Sequence, residues 1–428
     1  MRLSAPRNAV PGYCREMVMM KVDESRVTNI GRVLSVGDQL LAWLRNEALP
    51  LWDRVGVDRR AGGFFENIGF QDSSTPLEAT GAVRRGRVVA RQIYVFEMGR
   101  QLGWTSPWQS PLEHGCDFLF GKLHRGAGQF HTAVEAASLE PQGRFDLYEQ
   151  AFYLFALAHL RATVLDYPIE ATALQCLQHL RENYGKAGGG FDESQPPTVP
   201  LKSNPHMHLL EAALAWIEVT EGAARRPWVD LAQELVGLCL SYFVDHSTGV
   251  IREYFDSGWA PMPGDAGRIV EPGHQFEWAW LLTRWAALPY DTSVLRERCS
   301  TVAGRLRDIG ERWGVDPVRG VAINEIWDDM TPKDTAAKLW PQTERLKAWC
   351  AALDGAESAA DESAACSRVI AAAEGLAKYL RSDAPGLWHE VCLPDGGFAA
   401  GASKASSLYH IACAIDVLHK SKTTHDHH

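Results

Sequence analysis

The sequence predicts an all-α fold: an (α/α)6 barrel of six helical hairpins, with short β-ladders or turns where the hairpins meet. Three observations predict it. A glycine signature recurs six times, its period is long enough for two helices, and segments apolar on all sides alternate with segments apolar on one side.

The signature is Gly62-Gly63-Phe64, Gly128-Gln129-Phe130, Gly189-Gly190-Phe191, Gly249-Val250-Ile251, Gly320-Val321-Ala322 and Gly396-Gly397-Phe398. Counted from the last glycine of each, the spacings are 65, 62, 59, 71 and 77 residues. Two helices of about 12–15 residues with their connections fill such a period. Glycine supplies the backbone turn that other residues resist. Leu147 to Leu160, Leu209 to Val219 and Phe276 to Leu288 are rich in Ala, Leu and Trp on every face and read as an inner ring of helices. Val229 to Phe243 and Thr301 to Trp313 carry a one-sided apolar stripe and read as outer helices. Six units with buried inner helices suit a closed ring better than an open solenoid.

The organisation expected is an N-terminal extension over 1–25, flexible, then one barrel domain over 26–420, then a polar tail over 421–428, which ends His425-Asp426-His427-His428. The chain of 428 residues carries 43 Lys and Arg against 53 Asp and Glu, a formal net charge of −10. With 46% hydrophobic residues and 15 tryptophans it is too apolar to be disordered. Its acidic balance argues against a nucleic-acid partner, which would need a basic field. No apolar run reaches the roughly 18–20 residues that span a bilayer, so no membrane partner and a cytoplasmic location are expected. The nine cysteines are scattered without a C-x-x-C pair, which predicts reduced, buried residues rather than disulfides or a zinc site. No patch for a partner subunit stands out. The tryptophan surplus reads mostly as core, Trp216, Trp278 and Trp280 included; Trp340 is the best candidate for a ring facing a sugar.

Following each glycine turn forward to the next buried helix gives Arg91, Tyr148, His208, His274, Gln342 and His410, each at or near a helix start. If the ring closes, the six converge at one mouth of the barrel. His208-Leu-Leu-Glu211 and His274-Gln-Phe-Glu277 both read H-x-x-E, and i and i+3 share a helix face, so each glutamate can orient its imidazole. Alone, that motif is as well explained by a buried structural histidine. Two copies in register, joined by His410 in a third unit, favour a functional reading. His206 and His208 could suggest a metal, but i and i+2 diverge on a helix and no ligand completes the set, so no metal and no cofactor are expected. Arg84, Arg85 and Arg87 read as a solvated basic loop, because no glycine-rich phosphate loop accompanies them.

Five segments carry a resemblance. They are Arg91-Gln-Ile-Tyr-Val-Phe96, Asn204-Pro-His-Met-His-Leu-Leu-Glu-Ala212, Glu271-Pro-Gly-His-Gln-Phe-Glu-Trp-Ala-Trp280, Lys338-Leu-Trp-Pro-Gln-Thr-Glu344 and Ser406-Ser-Leu-Tyr-His410. Over roughly residues 38–418 the chain resembles the N-acylglucosamine 2-epimerase superfamily, and its wording is most similar to the bacterial mannose isomerase branch. That resemblance implies an (α/α)6 barrel and metal-free interconversion of free sugars by histidine proton transfer. It implies His274 and His410 as the acid–base pair, Glu277 orienting His274 or helping to open the sugar ring, and His208 and Arg91 holding substrate oxygens. Tyr148, Asn204, Glu211, Trp340, Gln342 and Glu344 are the expected substrate-binding residues around them. Lys338 departs from the arginine common before Leu-Trp-Pro-Gln; it keeps the charge and loses the planar fork.

The function expected is an isomerase interconverting D-mannose and D-fructose through a cis-enediolate. A 2-epimerase of N-acetylglucosamine and N-acetylmannosamine or of a free aldose shares that intermediate and remains open. A glycoside hydrolase on the same barrel, using two of Glu211, Glu277 and Glu344, and a non-enzymatic sugar-binding protein are the distant alternatives. Phosphorylated sugars are disfavoured, because only the arginines at 84–87 are placed to answer a phosphate.

Overall fold

The structure, a computed structural model, describes residues 24–70, 79–290 and 292–425. Twelve helices of ten residues or more build it among these residues. They are α1 (Glu24–Trp43), α2 (Gly86–Gln101), α3 (Gln109–Phe118), α4 (Leu147–Leu160), α5 (Ile169–Tyr184), α6 (Ser203–Val219), α7 (Gly222–Leu238), α8 (Pro272–Ala286), α9 (Ser293–Gly314), α10 (Trp340–Asp354), α11 (Ala359–Leu380) and α12 (Ala405–His425). The even-numbered helices form the inner ring. Each packs on the next, and α12 packs back on α2, which closes the barrel. The odd-numbered helices wrap it outside.

Composition explains the two layers. In α4 every residue is buried except Tyr148 and His159, each partly exposed, because a helix apolar all round loses least when neighbours cover every face. In α9 the buried positions are Cys299, Ala303, Leu306, Ile309, Gly310 and Gly314, a single stripe. Trp216 stacks on Trp228 at 4.8 Å between α6 and α7, an inner-to-outer contact of the kind the tryptophan surplus serves. The eight cysteines among the described residues are all free and buried.

All six glycine signatures are hairpin turns between an outer helix and the next unit. Their bridges are Val57 to Phe64, His124 to Phe130, Gly185 to Phe191, Val244 to Ile251, Val315 to Ala322 and Cys392 to Phe398. Gly63, Gly128, Gly190, Gly249, Gly320 and Gly396 all have positive φ, where a Cβ is disfavoured. At Gly128 a Cβ would also stand 2.2 Å from the Cys176 backbone nitrogen of α5, so the turn cannot be filled.

The chain just before each inner helix bonds to the next unit's hairpin or to the segment that follows it. Arg84 pairs with Val134, Leu201 with Phe255, Ile269 with Trp327 and Ala337 with Cys392. The Leu147 N–H donates to Glu193 O at 3.2 Å. The last link, Ile68 with Ser403, joins the sixth unit to the first. This ring of short ladders lies at the end of the barrel where the inner helices begin, and it frames the mouth.

Two expectations need correction. Arg84 is a buried strand residue, not part of a solvated loop. Its guanidinium pairs with Asp58 at 2.5 Å and also donates to the Gly62 and Gly81 carbonyls, because a charge that is 1% exposed must be paired. The tail expected from 421 begins inside α12, which carries on to His425. Residues 1–23, most of the expected extension, Cys14 and residues 426–428 lie outside the described residues. No described helix is long and apolar enough to cross a membrane.

Candidate active site

Each inner helix begins at the mouth, so its first two turns aim side chains into one space. Arg91 is on α2, Tyr148 on α4, Asn204 and His208 on α6, His274 and Glu277 on α8, Trp340 on α10 and His410 on α12. All eight line one cavity of about 400 Å3, together with Glu271, Lys338, Glu390, Lys404, Ser406 and Ser407. The walls are polar, and the volume suits a monosaccharide.

The two histidines expected to do acid–base work sit in opposite electrostatic settings. His274 Nδ1 lies 2.7 Å from Glu253 Oε2 and 4.0 Å from Glu271 Oε2. Burial disfavours its charge, but Glu253 and Glu271 overcome that and hold its pKa at about 10. His274 is therefore an imidazolium at neutral pH. His410 Nδ1 lies 2.9 Å from Glu344 Oε1. Burial, with the cations of Arg91 and Lys347 nearby, pushes its pKa well down, so His410 is a neutral imidazole. One ring can give a proton while the other can take one.

His208 pairs through Nδ1 with Glu211 at 3.1 Å, as the first H-x-x-E motif implies, and burial lowers its pKa. The second motif does not pair in that way. His274 Nδ1 is taken by Glu253, which reaches it from the extended segment after the fourth glycine turn; one ring nitrogen has one position to fill. Glu277 lies instead 3.7 Å from His208 Nδ1. Burial beside the carboxylates of Glu344 and Glu211 raises its pKa well above the usual range and so favours the acid form of a carboxyl facing the cavity.

Arg91 is 4% exposed; it donates to the Tyr148 hydroxyl at 2.7 Å and lies over the Phe152 ring at 4.0 Å. Packed so, its guanidinium cannot swing away. Trp340 is partly exposed, 4.9 Å from His274 and 6.2 Å from His410 between ring centroids, and forms the apolar wall between them.

Three expected substrate-binding residues do not reach the cavity. Gln342 is spent on the fifth hairpin. It accepts from Ala322 N at 2.7 Å and donates to Ala322 O and Lys338 O at 2.8 and 2.9 Å. Gln275 clamps Ile251 in the same way, and His206 accepts from Phe191 N at 3.1 Å. These clamps satisfy backbone groups just after a glycine turn that point away from the opposite arm of the hairpin. Glu211 and Glu344 stand behind His208 and His410 and hold them, with no lining position of their own.

Sequence reasoning missed Glu253, 21 positions before its histidine; no periodicity connects the two. It also missed Tyr409, which donates to Glu211 Oε2 at 2.5 Å, and Lys347, buried beside Glu344 at 2.6 Å. The i to i+3 spacing from Glu344 to Lys347 was the available signal. The arginines at 84–87 are committed elsewhere: Arg85 pairs with Glu66, and Arg87 with Glu149. The side chains of Lys338 and Lys404, in contrast, are exposed at the cavity and have no ion-pair partner within 4 Å among the described residues.

Among the described residues two groups could geometrically hold a cation, His208 with Glu211 and Glu277, and Glu253 with Glu271 and His274. Lys347 already answers the carboxylates of the first, and the imidazolium of His274 answers those of the second.

The family profile described as N-acylglucosamine 2-epimerase (GlcNAc 2-epimerase) matches residues 63–414. A protein of Rhizobium meliloti (strain 1021) named mannose-6-phosphate isomerase is 40% identical over 387 residues, 88% of this chain and 95% of that one. A D-mannose isomerase of Pseudomonas cannabina pv. alisalensis is 27% identical over 262 residues, 56% of this chain and 61% of that one. The structure of cellobiose 2-epimerase from Spirochaeta thermophila DSM 6192 superposes with a TM-score of 0.77 at 20% identity, covering 92% of this chain and 98% of that one; at that identity it speaks for the shared (α/α)6 fold.

Proposed function

The chain belongs to the N-acylglucosamine 2-epimerase family and is an isomerase of that family, and from this we propose that it interconverts D-mannose and D-fructose. The observation that carries the reading is the pair of histidines at one cavity, His274 held as imidazolium and His410 held neutral. His410 takes the proton from C2 of the open-chain aldose through Nε2, the ring nitrogen left free by Glu344. The C2–H electron pair forms the C1–C2 double bond, and the carbonyl pair moves to O1. Arg91 and His274 stabilise the enediolate oxygens, and His274 supplies a proton to oxygen. Return of the first proton to C1, as the O2–H proton passes back to His274 and the C2–O2 bond becomes the carbonyl, gives the ketose and restores both histidines. Glu277 faces the cavity where burial favours its acid form, and it is suited to opening the sugar ring. The alternation of a charged and a neutral imidazole gives this reading an advantage over hydrolysis, which needs two opposed carboxylates in the cavity.

A second reading is favoured by a specific observation. Lys338 and Lys404 offer two ammonium groups at the cavity with no ion-pair partner within 4 Å among the described residues, suited to the 6-phosphate of the same sugars, and the Rhizobium meliloti relative carries that substrate in its name. The test is incubation with D-mannose, mannose 6-phosphate, N-acetylmannosamine and cellobiose in deuterated water, followed by NMR. Fructose formed from mannose, with deuterium entering at carbon, supports the first reading. Turnover of the phosphate ester alone replaces it with the second. An epimer without ketose identifies a 2-epimerase, and no exchange with any of the four sinks the isomerase assignment.

A further inference from the structure

Inside the ring, behind the cavity, lies a buried lysine that the reaction as described does not use. Lys347 on α10 is 0% exposed, and its Nζ lies 2.6 Å from Glu344 Oε2 and 3.9 Å from the centroid of the Trp280 ring. Glu211 of α6, Glu277 of α8 and Cys413 of α12 surround the same ammonium. Three buried carboxyl groups thus share one lysine. On the other side of Glu344, Oε1 lies 2.9 Å from His410 Nδ1 and accepts from Thr343 Oγ1 at 3.2 Å. His208 of α6 and Arg91 of α2 complete the charged and titratable surroundings of this pair.

We propose that Lys347 is a positioning residue: its ammonium keeps Glu344 ionised, so that Glu344 accepts from His410 Nδ1–H and leaves His410 Nε2 bare toward the sugar. The physical reason is the cost of an unpaired buried charge. Without a cation, burial and the neighbouring Glu211 favour the acid form of Glu344. A protonated Glu344 donates to His410 Nδ1. The imidazole then carries its proton on Nε2 and presents a donor where a base is required. Lys347 touches neither the cavity nor the substrate and acts through two intervening groups. The inference rests on the reading of His410 as the base.

The test uses the full chain labelled with 15N-histidine, with His410 assigned by comparison with His410→Asn. Imidazole 15N shifts report which nitrogen carries the proton, without any substrate. In the parent protein the Nδ1–H form is expected. In Lys347→Met the Nε2–H form is expected, with exchange of the C2 proton slowed about 100-fold near neutrality and regained as pH rises through the raised pKa of Glu344. The double variant Lys347→Met with Glu344→Gln should restore the Nδ1–H form and abolish that pH dependence. The amide oxygen still accepts, Thr343 Oγ1 keeps an oxygen on that side, and no cation is needed. Lys347→Met with the parent tautomer and pH profile would overturn the proposal. So would a double variant that fails to fold, since the lysine would then serve the whole carboxyl cluster. A parent chain without turnover would remove the proposed function and leave the tautomer result standing.

Discussion

At the scale of the residue, chemistry is set by which carboxylate reaches which imidazole. His208 and Glu211 are three apart on one helix, so their pairing was readable from spacing. His274 and Glu253 are 21 apart and meet only because the fourth hairpin folds back on the start of α8, so the same motif misassigned Glu277. If His410 is the base, His410→Asn should lower kcat by about 100- to 10,000-fold and change KM by only a few-fold. Steady-state kinetics and a sugar titration followed by intrinsic tryptophan fluorescence check both. The setting of His274 predicts a pH limb. Activity that needs the imidazolium falls as pH rises through about 10. Because this folded pKa lies above the ordinary value of about 6.5, the ion pair with Glu253 stabilises the fold fully below that value, and the contribution is lost as pH climbs through about 10. Glu253→Gln removes the larger of the carboxylate contributions and should shift the alkaline limb of kcat/KM down toward neutrality. An unmoved limb would show that another group controls it.

At the scale of the element, the glycine hairpins and their clamps place each inner helix. The glycines were legible because positive φ favours a residue without a Cβ, and the six-fold period followed from them. The clamps were not: Gln342 looked like a ligand for sugar because it sits at a helix start, yet the backbones of Ala322 and Lys338 engage both its amide oxygen and its amide nitrogen. A glutamine near a site and a glutamine beneath it look alike in one dimension. Helix contacts at the mouth are equally tight. A Cβ at Gly273 would stand 2.4 Å from the Trp340 ring, which is large, rigid and set against His274. Gly273→Ala should displace that ring and lower kcat/KM by about 10-fold or more, with a much smaller change in Tm. Parent-like kinetics would show that Trp340 is not a wall of the reacting site.

At the scale of the molecule, closure is what makes six dispersed helix starts into one cavity. The last inner helix packs on the first, and Ile68 pairs with Ser403. Removing residues 405–425 takes away α12 and leaves the apolar faces of α2 and α10 uncovered. The shortened chain should lose its single cooperative thermal transition and bind a hydrophobic dye, measured by calorimetry and by ANS fluorescence. Retention of a cooperative transition would mean that five units form a stable arc.

The sequence by itself determined the number of units, which helices face inward and where the chemistry gathers, because glycine φ, helical periodicity and the i to i+3 spacing are local properties written along the chain. It placed Arg91, Tyr148, Asn204, His208, His274, Glu277, Trp340 and His410 among the candidates, and these eight line the cavity. Only the tertiary structure decided the protonation states of the two histidines, the release of Gln342 from the candidate site, the commitment of Arg84 to a buried ion pair and the lone lysine among three carboxyl groups. Those depend on burial and on partners contributed by different units, and the electrostatics of a site follow distances in space that chain separation does not encode.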